Sequence, residues 1–209
     1  MKRLSLLCIL FLSTTFLALS QNLSFGIRGG LNVSNLSMSH TGLPDNQQKA
    51  RTSFNIGGYG QYSLNEKMTI QTELFYSEEG ASFSNPGTEL PANINLSYLS
   101  LPLFFKYNIY KKLYAMAGPQ VSYLLSAQSV YEDGTPYNVM NEHSKSVIGF
   151  VPVVGYDWKN FSINVRYNIG LTNIPKSLSY WNYTRYIDNH VKSNVFSLVV
   201  GYKIGSRKN

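Results

Sequence analysis

The chain alternates apolar and polar residues over a long stretch near its C-terminal end. Between Phe161 and Leu171 the apolar residues Phe, Ile, Val, Tyr, Ile and Leu share one face, and Ser, Asn, Arg, Asn and Gly share the other. A period of two indicates a β-strand. The stretch covers about 11 residues, which is the length of a tilted membrane-crossing strand and nearly twice that of common strands in soluble proteins.

Seven further stretches follow the same period. They are Leu23–Val33, Phe54–Leu64, Met68–Ser77, Leu99–Ile109, Leu113–Leu125, Val147–Trp158 and Phe196–Ile204. Both faces of the stretch at 147–158 are apolar, and we take as its outward set Ile148, Phe150, Pro152, Val154, Tyr156 and Trp158. Pro102 predicts a local irregularity, and Gly118-Pro119 predicts a bulge. The pattern predicts an all-β protein of eight antiparallel strands in an up-and-down transmembrane β-barrel.

The connections between these strands alternate between short and long. The short ones are Asn65-Glu66-Lys67, Lys111-Lys112 and Lys159-Asn160, and the long ones are about 34–52, 83–95, 131–145 and 172–193. This asymmetry is typical of outer-membrane barrels, which have tight periplasmic turns and longer outer loops. We expect four extracellular loops and two periplasmic termini.

The first residues resemble an export signal. Lys2 and Arg3 precede the apolar stretch Leu4–Leu19, and Ala18-Leu19-Ser20 places small residues two apart before Gln21, as in a secretory signal peptide. We predict a signal peptide at 1–20 and a barrel domain at 21–209, whereas the competing interpretation is a membrane anchor. The chain has one cysteine, Cys8, so the mature domain would have neither a disulfide nor a thiolate site.

A soluble barrel of the lipocalin type also alternates, so the period alone does not identify a membrane protein. Aromatic residues on the outward faces favour the membrane because they fall at two levels, where lipid interfaces enrich them. Near the loop ends are Phe54, Tyr76, Tyr123 and Phe196, and near the turn ends are Tyr62, Tyr107, Tyr156, Trp158, Phe161 and Tyr202.

Five charged residues lie on the opposite faces of the predicted strands. They are Arg28, Glu73, Lys106, Arg166 and Lys203. An Arg or Lys facing lipid at mid-depth costs about 2 to 4 kcal/mol, so we expect these residues in the barrel interior. Eight strands enclose an interior that side chains can fill. The prediction is an ionic plug that also includes Gln71, Gln120, Asn164 and Asn168, and the alternative is a proton or ion path.

Several segments together resemble the PorT-like outer-membrane β-barrel family. They are GGLNVSNL at 29–36, QTELFYSEEG at 71–80, YLSLPL at 98–103, AGPQVSYLL at 117–125 and RYNIGLTNI at 166–174. The resemblance implies an eight-stranded barrel in the outer membrane. The family's namesake is a component needed for a gliding-linked protein secretion system, although most members have no assigned activity. The chain departs from many outer-membrane proteins because it ends in GSRKN rather than an aromatic residue.

Composition narrows the chemistry further. The formal net charge is +7, and no run of Lys or Arg forms the basic stripe expected of a nucleic-acid-binding protein. His40, His143 and His190 fall in predicted loops without the spacing of a catalytic or metal site, and we interpret Glu78-Glu79 as solvated loop charges. We expect neither an enzyme nor a cofactor.

The longest predicted loop, 172–193, is the candidate contact surface. It combines aromatic and basic residues, which suit contact with carbohydrate, an anionic surface or a partner protein. The candidates are Tyr180, Trp181, Tyr183, Arg185 and Tyr186. The alternative is that these aromatics extend the strands above the membrane. We therefore predict a non-enzymatic outer-membrane barrel in contact with lipid, with a structural or surface-recognition role. The alternatives are an accessory component of a secretion or envelope assembly complex and a secreted soluble lipocalin-like barrel.

Overall fold

The fold was analysed in a computed structural model that describes residues 22–38, 48–83, 92–130, 134–174 and 191–206. Eight long strands and one short one follow in chain order. They are β1 (Leu23–Met38), β2 (Gln48–Ser63), β3 (Met68–Phe83), β4 (Asn93–Tyr110), β5 (Leu113–Val130), the short β6 (Pro136–Asn138), β7 (Ser146–Trp158), β8 (Phe161–Gly170) and β9 (Val191–Ser206). Among the described residues, no helix has the length and apolar character that crossing a membrane requires.

The eight long strands close into a barrel. Each pairs antiparallel with its neighbours in the chain, β5 pairs with β7, and β9 pairs back with β1. The predicted eight-stranded antiparallel barrel is confirmed. One end of the barrel, called here the turn end, carries the short connections at 64–67, 111–112 and 159–160. The N-terminal end of β1 and the C-terminal end of β9 also lie there. The opposite end is called the loop end.

Most strands are longer than predicted, so the predicted loops were too wide. β1 continues to Met38 and β2 begins at Gln48, within the predicted loop 34–52. The predicted loop 131–145 contains β6, which pairs with β5, and a 3-10 turn at Met140–Glu142. The reason for the error is that the strands continue beyond the apolar band, where polar residues on the outer face conceal the alternation.

Strand length shows how far the barrel extends past a membrane. β4 and β5 have 18 residues each, or about 59 Å at about 3.3 Å per residue. With a tilt of about 45°, their height is about 42 Å, against an apolar band of about 25 Å in outer-membrane barrels. About 17 Å of the height of these strands therefore lies outside the hydrocarbon, mostly toward the loop end.

The bulge predicted at Gly118-Pro119 is wrong. β4 and β5 keep one register across it, since Pro102 pairs with Gln120 and Phe105 pairs with Ala117. A Cβ atom on Gly118 would lie 1.8 Å from the carbonyl oxygen of Leu103, so the glycine lets β4 and β5 approach without a shift. At Pro102 the pairing of β3 with β4 is interrupted without a register shift, because Thr72 pairs with Leu103 and Phe75 with Ser100 but residues 101 and 102 have no partner on β3, as the predicted local irregularity requires. The shift in this part of the sheet lies instead between Ser97 and Tyr98.

The outward faces are apolar along the middle of the barrel. The predicted outward set of β7, from Ile148 to Trp158, is exposed, whereas the alternate residues Gly149, Val151, Val153 and Gly155 are buried. Leu101 on β4 is 53% exposed. Aromatic rings contact one another at both levels, with centroid distances of 5.9 Å for Phe54–Tyr76 and 5.0 Å for Phe161–Tyr202.

Candidate functional site

Three charged side chains from distant strands meet in the barrel interior. Arg28 on β1 and Arg166 on β8 both bind the carboxylate of Glu73 on β3. Arg166 donates from Nη1 to Oε2 over 2.8 Å and from Nη2 to Oε1 over 3.3 Å, while Arg28 donates from Nη1 to Oε2. Glu73 is 2% exposed. One buried carboxylate thus bridges two guanidinium groups, and we call these three residues the central cluster.

Amide side chains extend the central cluster on both sides. Gln71 donates to Oε1 of Glu73 over 2.9 Å, and Arg166 donates from Nε to Oδ1 of Asn164 over 3.0 Å. Arg28 donates from Nη2 to Oδ1 of Asn55 over 2.6 Å. These hydrogen bonds satisfy donors and acceptors that would otherwise be costly to bury.

The network continues toward the loop end through amide and hydroxyl groups. Asn55 donates to Oδ1 of Asn32, which also accepts from the hydroxyl of Ser197 over 2.8 Å. The amide of Asn32 donates to the hydroxyl of Ser77 over 3.0 Å. Polar side chains therefore link β1, β2, β3 and β9 across the interior.

Aromatic rings cover the cations of the central cluster. The guanidinium carbon of Arg28 lies 4.0 Å from the ring centroid of Phe75, and that of Arg166 lies 5.7 Å from the ring centroid of Phe104. Cation–π contacts of this kind stabilise a cation that has been removed from water. The cluster is thus held by a carboxylate, amides and rings together.

A second ion pair lies nearer the turn end. Nζ of Lys106 on β4 donates to Oδ2 of Asp157 on β7 over 2.6 Å and lies 3.7 Å from the ring centroid of Tyr114. Asp157 was not among the predicted site residues. The alternation could have revealed it, because Tyr156 and Trp158 face outward and the residue between them must face inward.

A pocket connects the two charged groups and is open toward the turn end. It offers about 80 Å³ of space that water molecules can occupy. Its lining includes all five of the charged residues predicted for the interior, Arg28, Glu73, Lys106, Arg166 and Lys203. Lys203 is half-buried, and among the described residues no carboxylate lies within ion-pair distance of it.

Only part of the predicted plug gathers around Glu73. Gln71 and Asn164 bind members of the central cluster. Gln120 instead donates to the hydroxyl of Ser122 over 3.1 Å. The side-chain oxygen of Asn168 is buried and has no partner within the described part of the chain.

Apolar side chains fill the interior at the loop end, which the sequence did not predict. We call this group the loop-end core, and its buried members are Ala81, Phe83, Leu96, Tyr98, Leu124, Ala127, Val139, Ile174 and Val191. Tyr98 is 1% exposed. The interior therefore passes from a charged pocket at the turn end, through a polar middle, to an apolar core at the loop end.

The interpretation of Glu79 as a solvated charge is wrong. Glu79 lies within β3 and is buried, with its carboxylate accepting from the hydroxyl of Ser193 over 2.8 Å and from that of Ser77 over 3.5 Å. Within the described residues, no cationic side chain comes within ion-pair distance of it. Glu79 was misjudged because β3 extends further than the alternation indicated.

The candidate contact residues Tyr180, Trp181, Tyr183, Arg185 and Tyr186 lie outside the described residues, as do His40 and His190. The ring Nδ1 of His143 lies 2.8 Å from the carbonyl oxygen of Val139. In the described ranges no group of three or more His, Cys, Asp or Glu side chains could hold a metal ion. The predicted signal peptide at 1–20 is also outside the described residues and stays a prediction.

A closed antiparallel barrel with an apolar outer belt and a charged interior defines a transmembrane β-barrel protein. Residues 19–176 match the family described as the outer membrane protein beta-barrel domain. The chain belongs to this family and is an outer-membrane β-barrel protein that lies in membrane lipid. A soluble lipocalin-like barrel does not fit this assignment. No curated protein matches the chain at a significant level.

The comparison with solved structures found similarity to two bacterial proteins among others. Neisserial surface protein A is 15% identical, with 87% of this chain and 99% of that one covered and a TM-score of 0.53. The attachment invasion locus protein Ail of Yersinia pestis, solved with the heparin analogue sucrose octasulfate, is 17% identical. That alignment covers 88% of this chain and 99% of Ail, with a TM-score of 0.49. At these identities the similarity concerns the fold alone.

Proposed function

We propose that this protein is a non-enzymatic component of the bacterial outer membrane that acts in surface recognition through its long loops. The observation that supports the proposal is the filled interior. The central cluster and the loop-end core occupy the barrel lumen at successive levels, which argues against transport through it. Recognition is then a property of the surface, and the loop at 172–193 has the aromatic and basic residues that suit it.

The proposed topology places the turn end and both barrel termini in the periplasm. It can be tested with single cysteines, because the only cysteine of the chain is Cys8 in the predicted signal peptide. Asn141→Cys near the loop end should react with a membrane-impermeant maleimide on intact cells. Lys112→Cys at the turn end should react only after the outer membrane is permeabilised. The reverse labelling would refute the proposed orientation.

The recognition role is tested by replacing the loop's aromatic and basic residues while the barrel is retained. The variant carries serine at Tyr180, Trp181, Tyr183, Arg185 and Tyr186. The matched control carries alanine at five polar positions of the same loop, namely Ser177, Ser179, Asn182, Thr184 and Asn189. Both should fold, as judged by the shift in gel mobility on boiling. Loss of cell adhesion to immobilised anionic glycans in the first variant alone is expected, and equal adhesion by wild type and both variants would contradict the proposal.

A second candidate function is an accessory role in a secretion or envelope assembly complex. The five segments that resemble PorT-like proteins favour it. Deletion of the gene followed by quantification of exported proteins in the medium tests it. Export at the wild-type level would remove this candidate, whereas the adhesion experiment would be unaffected.

A further inference from the structure

Among the described residues, the turn-end pocket is lined by more cationic than anionic side chains. Seven charged side chains line it, of which five are cationic, namely Arg28, Lys106, Lys159, Arg166 and Lys203, and two are anionic, namely Glu73 and Asp157. Like charges in a partly desolvated space repel one another, and water screens them less there than at an open surface. An anion in the pocket would relieve this repulsion.

Both anionic side chains are already engaged. The carboxylate of Glu73 accepts hydrogen bonds from Arg28, Arg166 and Gln71. The carboxylate of Asp157 accepts from Lys106 over 2.6 Å. Lys203 lines the same pocket without a carboxylate partner in the described part of the chain. The central cluster keeps one net positive charge on its two arginines, and Lys203 adds another nearer the turn end. Lys159 is exposed, and its Nζ lies 5.8 Å from the ring centroid of the outward-facing Trp158.

The pocket also presents hydrogen-bond donors. The buried Nε of Arg28 has no hydrogen-bond partner among the described residues. Tyr59 and Ser162 line the pocket as well, and their hydroxyl groups can donate to an oxyanion. Hydrogen-bond donors and cationic side chains that line one pocket are the groups that bind phosphate or carboxylate.

The size of the pocket limits the ligand. About 80 Å³ of water-accessible space corresponds to roughly five to eight water molecules, since one water needs about 10 to 15 Å³. That is enough for a single phosphate group but too little for a nucleotide or a sugar ring. A larger molecule could insert only its charged end.

We propose that the turn-end pocket is a binding site for one phosphate group, carried either by inorganic phosphate or by a small phosphate ester such as a lipid headgroup fragment. Lys203, Arg28 and the hydroxyl of Ser162 would contact its oxygens, and the Lys106–Asp157 pair would form one wall. This site lies at the opposite end of the barrel from the loops and is independent of the proposed surface role.

The test measures phosphate binding to the full folded protein in micelles of an uncharged detergent. Calorimetric titrations with inorganic phosphate and with glycerol 3-phosphate should each saturate at one site per chain. The compound that binds more tightly shows whether the site prefers free phosphate or a phosphate ester. Chloride at equal ionic strength should not saturate. Absence of saturable binding by either phosphate compound would overturn the proposal.

Two variants separate a site from general surface charge. Lys203→Gln should weaken binding about tenfold or more, as expected for the loss of a hydrogen bond to a charged group. Lys112→Gln removes the same charge from an exposed turn residue that does not line the pocket, and binding should not change. An equal effect of both variants would show non-specific attraction and refute the site.

A third variant keeps every charge and fills the space. Ser162→Gln places a longer neutral side chain in the pocket, next to Gly201, where a Cβ atom would already lie 2.5 Å from the Ser162 hydroxyl. Binding should be lost although the net charge is unchanged. Wild-type affinity in this variant would contradict the proposed location, and it also provides a test if Lys203→Gln does not fold.

Discussion

Replacing Glu73 with glutamine should be among the most damaging conservative changes in the barrel. The substitution preserves the shape of the side chain and removes the charge that Arg28 and Arg166 share. The side chains of Glu73, Arg28 and Arg166 are 1%, 2% and 5% exposed, so bulk water reaches the cluster only through the turn-end pocket and replaces the carboxylate poorly. Two guanidinium groups would then face each other in the barrel interior.

The magnitude follows from the geometry of the central cluster. Because Arg28 and Arg166 both bind Oε2 of Glu73, their charges are within about 6 Å of each other, and they would repel by about 3 kcal/mol at an effective dielectric constant of about 20. Removing one partner of a buried ion pair typically costs about 3 to 5 kcal/mol. The repulsion is part of this typical cost, so the two values are not added. We expect the free energy of unfolding to decrease by about 3 to 5 kcal/mol.

Glu78→Gln is the matched control. Glu78 is the next glutamate on β3, but its side chain is 29% exposed and its oxygen lies 3.8 Å from Arg51. An ion pair of that kind contributes about 0 to 1 kcal/mol. The two variants therefore make the same chemical change in two environments on one strand.

The measurement is reversible urea unfolding of the barrel in lipid vesicles. Fluorescence of Trp158, which is exposed on the outward face near the turn end, reports contact with lipid. The double variant Glu73→Gln with Arg28→Gln should recover part of the loss, since it removes one of the two unpaired cations. A loss for Glu73→Gln within about 1 kcal/mol of the Glu78→Gln value would refute the view that the central cluster stabilises the barrel through charge.

Three further predictions can be measured in the same unfolding assay. Leu101→Arg, on the lipid-facing side of β4, should lower the free energy of unfolding by about 2 to 4 kcal/mol. Its control Leu113→Arg, near the turn end, should lower it by about 1 kcal/mol or less, and equal losses would contradict the placement of the membrane. Gly118→Ala should cost about 1 to 3 kcal/mol through steric overlap with β4, and Gly29→Ala, whose Cβ would meet nothing closer than 3.7 Å, should be tolerated. Glu79→Gln should leave stability unchanged or higher, because burial of a carboxylate without a cationic partner is unfavourable; a loss as large as that of Glu73→Gln would show an unrecognised partner.

The sequence predicted the barrel well where lipid imposes the pattern. A strand with lipid on one side and a packed interior on the other must alternate, so all eight long strands and the outward set of β7 could be identified. The five interior charges could be assigned for the same reason, since facing lipid is costly for each. The contacts among them could not be predicted. Arg28, Glu73 and Arg166 lie on three different strands, and the order and register of the paired strands in the closed barrel decide which side chains come together.

The strand ends could not be predicted because apolar residues move from the outward face to the inward face of the strands above the membrane. On β4, the outward residue Leu99 is exposed and apolar, whereas one residue earlier the apolar Tyr98 faces the interior and is buried. Leu96 continues the buried series toward the loop end. Within lipid the outer face is apolar, but beyond lipid the barrel folds like a soluble protein with its apolar residues inside. A prediction that places apolar residues on the outward face along the whole strand therefore fails beyond the lipid.

This change of face also locates the membrane surface on the barrel. Leu99 pairs with Tyr76 on β3 and with Tyr123 on β5, so these three residues are neighbours on the outward face toward the loop end, and the ring of Phe54 contacts that of Tyr76. The loop-end core begins immediately above them with Tyr98 and is continued by its neighbours on the adjacent strands. Aromatic residues are favoured where hydrocarbon meets water. The aromatic residues near the loop end thus mark the same boundary as the change from outward-facing to inward-facing apolar residues. The loop-end core packs where lipid no longer contacts the outer face.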